Sequence, residues 1–145
     1  MSQLLEEGNV LSLDFAKTSR IAEVCRECIP VVIQHADTGA VLLVAYTNAM
    51  AMEKAFKERR LILWSTSRNA LWDKGAQSGN AFDLVSAYVN CEQNALLYLV
   101  RPRGEGVCHT MTADGKARES CFYRRIDFDN MVLDKATPST YPPSH

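Results

Sequence analysis

The stretch Ala40-Val41-Leu42-Leu43-Val44-Ala45-Tyr46 is hydrophobic at every position, and few architectures accommodate such a run. An amphipathic helix or a half-solvated strand would interrupt it with polar residues, whereas a strand deep in a sheet would not. Just before it, Val31 to Ala36 reads as a second strand, and Asp37-Thr38-Gly39 supplies turn chemistry between the two. A hairpin with a buried second strand follows. Asp83 to Cys91 and Ala95 to Arg101 predict another hairpin, joined through Glu92-Gln93-Asn94 and closed by Pro102.

Between these hairpins the period changes. Asn48 is placed to cap a helix running to about Arg60, with Met52 and Phe56 on its inner face. Arg59-Arg60 is then the basic end that the helix dipole favours. Leu61 to Ser65 predicts a strand, and Thr66 to Gly79 a long ordered loop. Thr18-Ser19-Arg20 opens a short helix through Val24 and Cys25, ended by Pro30. The expected fold is α+β: a small mixed or antiparallel sheet with short helices. It forms one domain over residues 1–145, with an N-terminal segment at 1–28 and a C-terminal tail at 124–145.

Composition narrows the function. With 16 Lys and Arg against 17 Asp and Glu, the chain lacks the basic excess of a nucleic-acid binder. No apolar run approaches the roughly 18 residues of a membrane span. The first residues lack a basic region followed by an apolar one, so no secretory signal is read there. The cytoplasm is the expected compartment, where an odd count of five cysteines suggests reduced thiols or metal ligands rather than disulfides.

Cys91, Cys108 and Cys121 are candidate zinc ligands, since a catalytic site takes three protein ligands and keeps one position open. His109, beside Cys108, is either a fourth ligand or a proton-transfer group. Spacing alone is weak evidence, and on it buried thiols are the favoured reading. Cys25 and Cys28 are too few for a zinc site and lack a βαβ context, so packing at a helix end is expected. His35 either faces a site or is a solvated hairpin residue, and His145 belongs to the tail. Trp64 reads as core, as do Met50 and Met52, while Trp72 is the better site candidate.

Local sequence adds a resemblance. The run Trp64-Ser65-Thr66-Ser67-Arg68-Asn69-Ala70-Leu71-Trp72-Asp73-Lys74-Gly75, followed by Ser78-Gly79, resembles the long signature of the phosphoribosyl-AMP cyclohydrolase family of histidine biosynthesis. Cys108-His109-Thr110 and Ser120-Cys121-Phe122-Tyr123 resemble the two halves of its C-terminal motif. The likeness extends through the first hairpin and covers roughly Ile29 to Tyr123. It implies a homodimer with metal sites at the subunit interface. Zinc would be held by Cys91 of one subunit and by Cys108 and Cys121 of the other. The implied reaction opens the purine ring of N1-(5-phosphoribosyl)-AMP by adding water at C6 and cleaving the N1–C6 bond. Zinc suits it, because a bound ion can lower the pKa of water toward about 7. His109 is the implied proton shuttle. Ser65, Ser67, Arg68, Trp72, Lys74 and Ser78 are the candidate contacts to a nucleotide or other N-heterocycle.

The sequence departs from that pattern around Cys91. The family carries Asp-Cys-Asp-x-Asp, the aspartates forming a magnesium site, where this chain has Asn90, Glu92, Gln93 and Asn94. Alternate residues share one face of an extended chain, so Asn90, Glu92 and Asn94 would still converge. Amide oxygens bind magnesium more weakly than carboxylates, so this second site is expected to be lost or weakened. Asn80 and Phe82 replace a histidine and a glutamine, His35 an aspartate, and Thr112 to Arg118 is an insertion. Two alternatives remain: a divergent hydrolase of another N-heterocycle or amidine, and a non-catalytic zinc-binding protein.

Overall fold

The computed structural model describes residues 3–74, 81–103 and 118–135. Its elements are helices α1 (Gln3–Glu7), α2 (Lys17–Val24) and α3 (Ala49–Glu58), with strands β1 (Ile29–His35), β2 (Val41–Thr47), β3 (Ile62–Ser65) and β4 (Ala70–Asp73). Strands β5 (Phe82–Val89), β6 (Leu96–Pro102), β7 (Arg124–Asp127) and β8 (Val132–Lys135) complete the order. The expected α+β class is found, with a mixed sheet and short helices. Among the described residues, no helix is long and apolar enough to cross a membrane.

Four strands form the main sheet in the order β2-β1-β6-β5, antiparallel within each hairpin and parallel where β1 meets β6. Both expected hairpins are present. The turn between β1 and β2 requires Gly39, whose φ is +77°. His35 organises that turn, its Nδ1 accepting from the backbone N–H of Asp37 and Thr38 at 3.1 and 3.3 Å.

One face of the sheet carries the core. Val31 and Ile33 of β1, Leu43 and Ala45 of β2, and Tyr98 and Val100 of β6 are buried beneath α3 and β3. Asn48 caps α3 as expected, its side chain accepting from the N–H of Ala51 at 2.9 Å. The innermost helix residues are Ala51 and Ala55, while Met52 and Phe56 flank them, half-buried. The small alanines let the helix approach the sheet closely. On the opposite face, Val44, Val32, Leu97 and Tyr88 lie side by side across the four strands. Val44 and Tyr88 there are 48% and 55% exposed.

Tyr98 is fully buried, and its hydroxyl has no hydrogen-bond partner among the described residues. Burial pushes the phenol up to about 12, against a smaller downward pull from the Thr47 hydroxyl nearby. The folded state therefore favours the protonated ring. Its stability should hold below pH 10 and fall as the pH rises towards 12, by about 2–3 kcal/mol. Tyr98→Phe is expected to remove that alkaline loss and to be neutral or slightly stabilising at pH 7. Urea midpoints of both proteins at pH 8 and pH 11.5 check this; equal alkaline losses would contradict it.

Three expectations are corrected. The segment 66–79 is not loop throughout, because Ala70–Asp73 forms β4 and pairs antiparallel with β3. The stretch 124–145 is not only tail, since Arg124–Asp127 and Val132–Lys135 pair as β7 and β8. Cys25 and Cys28 form a disulfide rather than remaining as packed thiols. The chain folds back between α2 and β1, bringing their Cα atoms to 5.8 Å, inside the range that a bridge spans. Helix α2 stops at Cys25, whose N–H bonds to the carbonyl of Ile21, and Pro30 lies within β1.

Candidate active site

Cys121 is held by its neighbours on both sides. β2 carries one extra residue opposite the Ile33–Gln34 step of β1, a bulge at Leu42. The Val41 and Leu42 carbonyls accept from the Ser120 hydroxyl at 2.8 and 3.3 Å. The same hydroxyl oxygen accepts from the Phe122 N–H at 2.9 Å. The Cys121 N–H donates to the Leu42 carbonyl at 2.8 Å. Ser120 is only 4% exposed, while Cys121 itself is an exposed thiol.

On the other side, the N-terminal segment is clamped to the residues around Cys121. Arg118 forms a two-pronged ion pair with Glu7 at 2.7 and 3.0 Å, and its guanidinium stacks 4.0 Å from the Tyr123 ring. The Tyr123 hydroxyl donates to the Glu6 carbonyl at 2.5 Å, and Arg124 donates to that of Gly8 at 3.1 Å. A cavity of about 200 Å³ opens here, lined by Val10, Leu11, Leu13, Cys121, Phe122 and Arg124 among others.

Cys91 is exposed in the turn between β5 and β6. The turn is not extended, so the expected alternation of Asn90, Glu92 and Asn94 on one face is corrected. Gln93 has a φ of 55° and reverses the chain. Asn90 Oδ1 accepts from the N–H groups of Asn94 and Ala95 at 2.9 and 3.0 Å, and its amide donates to Asn94 Oδ1 at 2.7 Å. The two amides thus satisfy one another and the turn. Their oxygens are already engaged, which leaves only the Glu92 carboxylate, and this donor set does not fit magnesium.

The sheet separates the two described cysteines. Cys91 follows β5 at one edge, at the end where β1 and β6 begin, while Cys121 hangs on Leu42 of β2 at the other edge and other end. Three strand spacings and several residues of rise put them roughly 20 Å apart. Two thiolates on one zinc each lie about 2.3 Å from the metal, so one chain cannot present both to a single ion. Among the described residues there is no cluster of three or more His, Cys, Asp or Glu side chains fit for a metal. Cys108 and His109 lie outside the described residues, as do Ser78, Asn80 and the insertion up to residue 117.

The other candidates lie along the β3–β4 hairpin. Ser65 is buried, and its hydroxyl accepts from the Arg68 N–H and bonds to that of Ser67, both at 3.3 Å. The Trp64 indole N–H donates to Asn69 Oδ1 at 3.2 Å, helping to hold Asn69 at a φ of 50°. Ser67 and Arg68 are exposed at this tip. Lys74 lies at the hairpin base, where its N–H bonds to the Leu61 carbonyl. Its ammonium sits 5.5 Å from the Trp72 ring, which packs against the core. Nearby, Arg103 beside Asp83 and Arg101 beside Asp37 hold both carboxyls below the usual carboxylate range.

Nothing in the sequence marks Ser120, Tyr123 and Arg118 as positioning groups. The first two stand within the Ser-Cys-Phe-Tyr motif, but a buried hydroxyl bonding to a bulge leaves no local pattern.

Comparison with known proteins supplies what geometry does not. A family model described as phosphoribosyl-AMP cyclohydrolase matches residues 43–123. A protein of that name from Hyphomonas neptunium is 46% identical over 99 residues, covering 68% of this chain and 70% of that protein. One from Sphingopyxis alaskensis is 45% identical over 101 residues, covering 70% and 75%. A histidine biosynthesis bifunctional protein from Thermus thermophilus is 40% identical over 98 residues, covering 68% of this chain and 42% of its own length.

Proposed function

The chain belongs to the phosphoribosyl-AMP cyclohydrolase family, and on that premise we propose that it opens the purine ring of N1-(5-phosphoribosyl)-AMP. Water adds at C6 and the N1–C6 bond breaks. The enzyme acts as a homodimer in the cytoplasm, with zinc held by Cys91 of one subunit and by Cys108 and Cys121 of the other.

The observation that carries this reading is the placement of Cys91 and Cys121. Both are exposed thiols on turns or loops, and they lie at opposite corners of one sheet. A shared ion therefore requires a second copy of the chain. The apolar row Val44, Val32, Leu97 and Tyr88 supplies a face suited to burial against that copy. Zinc in this site supplies Lewis-acid activation of water at neutral pH. His109 moves the proton. Arg68, exposed at the β3–β4 tip, and Lys74 bind the substrate's phosphates, while Ser65 holds the tip in shape. No step is assigned to magnesium, because Asn90 and Asn94 bond to each other instead.

Direct assay with phosphoribosyl-AMP tests the reading. Turnover should follow zinc content, disappear on chelation and ignore added magnesium. A zinc-loaded protein without turnover would point to a different N-heterocycle. Asn90→Asp with Asn94→Asp sets two carboxylates about 3 Å apart in place of the amide pair, and like charges that close disfavour the turn. The double variant should melt lower than wild type without a divalent cation and recover in millimolar magnesium. A melting temperature unmoved by magnesium would contradict the role given to the amides.

A further inference from the structure

We propose that Cys25 and Cys28 form a thiol–disulfide exchange site, whose co-substrate is a low-molecular-weight thiol, and that its state sets how tightly the N-terminal segment is held. The two are bridged across Arg26 and Glu27, and both are half-buried, so the bridge remains within reach of a small thiol. They occupy the junction between α2 and β1. Cys25 closes the last turn of α2, and Cys28 immediately precedes Ile29, the first residue of β1. The pair lies at the carbonyl end of the helix, which does not stabilise a thiolate and so favours the bridge relative to the thiolate form.

What the bridge restrains is visible in the chain upstream of it. Helix α2 has one buried side chain, Ile21. Further upstream, residues 6–10 are tied to the region after Cys121 through Tyr123, Arg124, the Leu133 N–H to Asn9 bond and the Val10–Val132 bridge. The N-terminal segment is thus anchored at one end beside Cys121 and at the other by the disulfide against the central sheet. Opening the bridge would leave the end of α2 tied to β1 only through Arg26, Glu27 and the burial of Ile21.

A thiolate of the small thiol attacks one sulfur of the bridge, giving a mixed disulfide and a protein thiolate that takes up a proton. A second small thiol attacks the mixed disulfide at the small-molecule sulfur and releases the second protein thiol. Two small thiols become one small disulfide, and two electrons and two protons pass to the protein.

The test equilibrates the full chain in glutathione buffers ranging from fully reduced to fully oxidised. Acid quenching, alkylation and mass spectrometry of the peptide containing both residues follow; that peptide excludes Cys91, Cys108 and Cys121. The expected result is a reversible two-electron transition, with both sulfurs alkylated in reduced glutathione and neither in the oxidised form. Cys28→Ser should trap a glutathione adduct on Cys25, or Cys25→Ser one on Cys28. Amide exchange over residues 17–24 should quicken about tenfold on reduction, and the double serine variant should show the same rate in oxidising buffer. A bridge that resists excess reduced glutathione, or thiols that never bridge, would overturn the exchange site. Unchanged exchange over 17–24 would overturn its hold on the segment.

Discussion

Cys91→Ser and Cys121→Ser, each inactive alone, are expected to regain about half of wild-type activity when joined in one dimer. Cys91 and Cys121 stand at opposite corners of the strand order β2-β1-β6-β5, so in the proposed dimer each zinc site takes one from each subunit. In a heterodimer of the two variants, one site carries both substitutions and the other carries neither. Co-expression with two different tags and purification on both isolates that species. Zinc content should fall to about half per dimer alongside activity, and each single variant should lose zinc and activity together. If all three cysteines bound zinc within one chain, the heterodimer would be as inactive as its parents. If tandem purification recovered no heterodimer, the shared site would fail outright.

Much of this arrangement is legible in the amino-acid sequence, and the reasons differ by element. The first hairpin is legible because the apolar run Val41 to Ala45 suits a strand and Asp37-Thr38-Gly39 fixes where it turns, but the expected burial of that strand is only partial: β2 lies at the sheet edge, with Val44 48% exposed. Helix α3 is legible at its cap. The parallel contact of β1 with β6 joins residues such as Val31 and Leu96, and no local pattern encodes so distant a pairing. Strand β4 is hidden because Ser67-Arg68-Asn69 reads as loop, while its pairing depends on Asn69 in a left-handed conformation bonded to Trp64. Strands β7 and β8 carry mainly charged and half-exposed residues, and their turn is set by Asp127, whose side chain accepts from the N–H groups of Asp129 and Asn130.

The candidate site divides in the same way. The identities of the cysteines are readable from a motif, but their separation is not, because it depends on which sheet edge each one joins. The Asn90–Asn94 bond is equally invisible. Alternation along an extended chain predicts convergence onto a ligand, whereas a positive φ at Gln93 turns the same residues onto each other.

Ser120→Ala should weaken zinc binding about 10- to 100-fold while leaving the fold intact, the range seen when groups that orient metal ligands are removed. The hydroxyl is buried, its one proton is shared between the Val41 and Leu42 carbonyls, and its oxygen accepts from the Phe122 N–H. Its removal leaves the half-buried Phe122 N–H without its partner and the bulge at Leu42 without its side-chain contact. The stability cost is of the order of 1–3 kcal/mol. Cys121 retains its backbone bond to Leu42 but loses the restraint on both flanks. Chelator competition reads the zinc affinity directly, apart from activity. Ser120→Thr keeps the hydroxyl and should recover most of the affinity if the added methyl group is accommodated. Ser120→Ala with wild-type zinc affinity and a lowered melting temperature would reduce Ser120 to a purely structural group. Zinc affinity lowered 10- to 100-fold while the metal-free variant stays folded would mark it as the residue that aims Cys121.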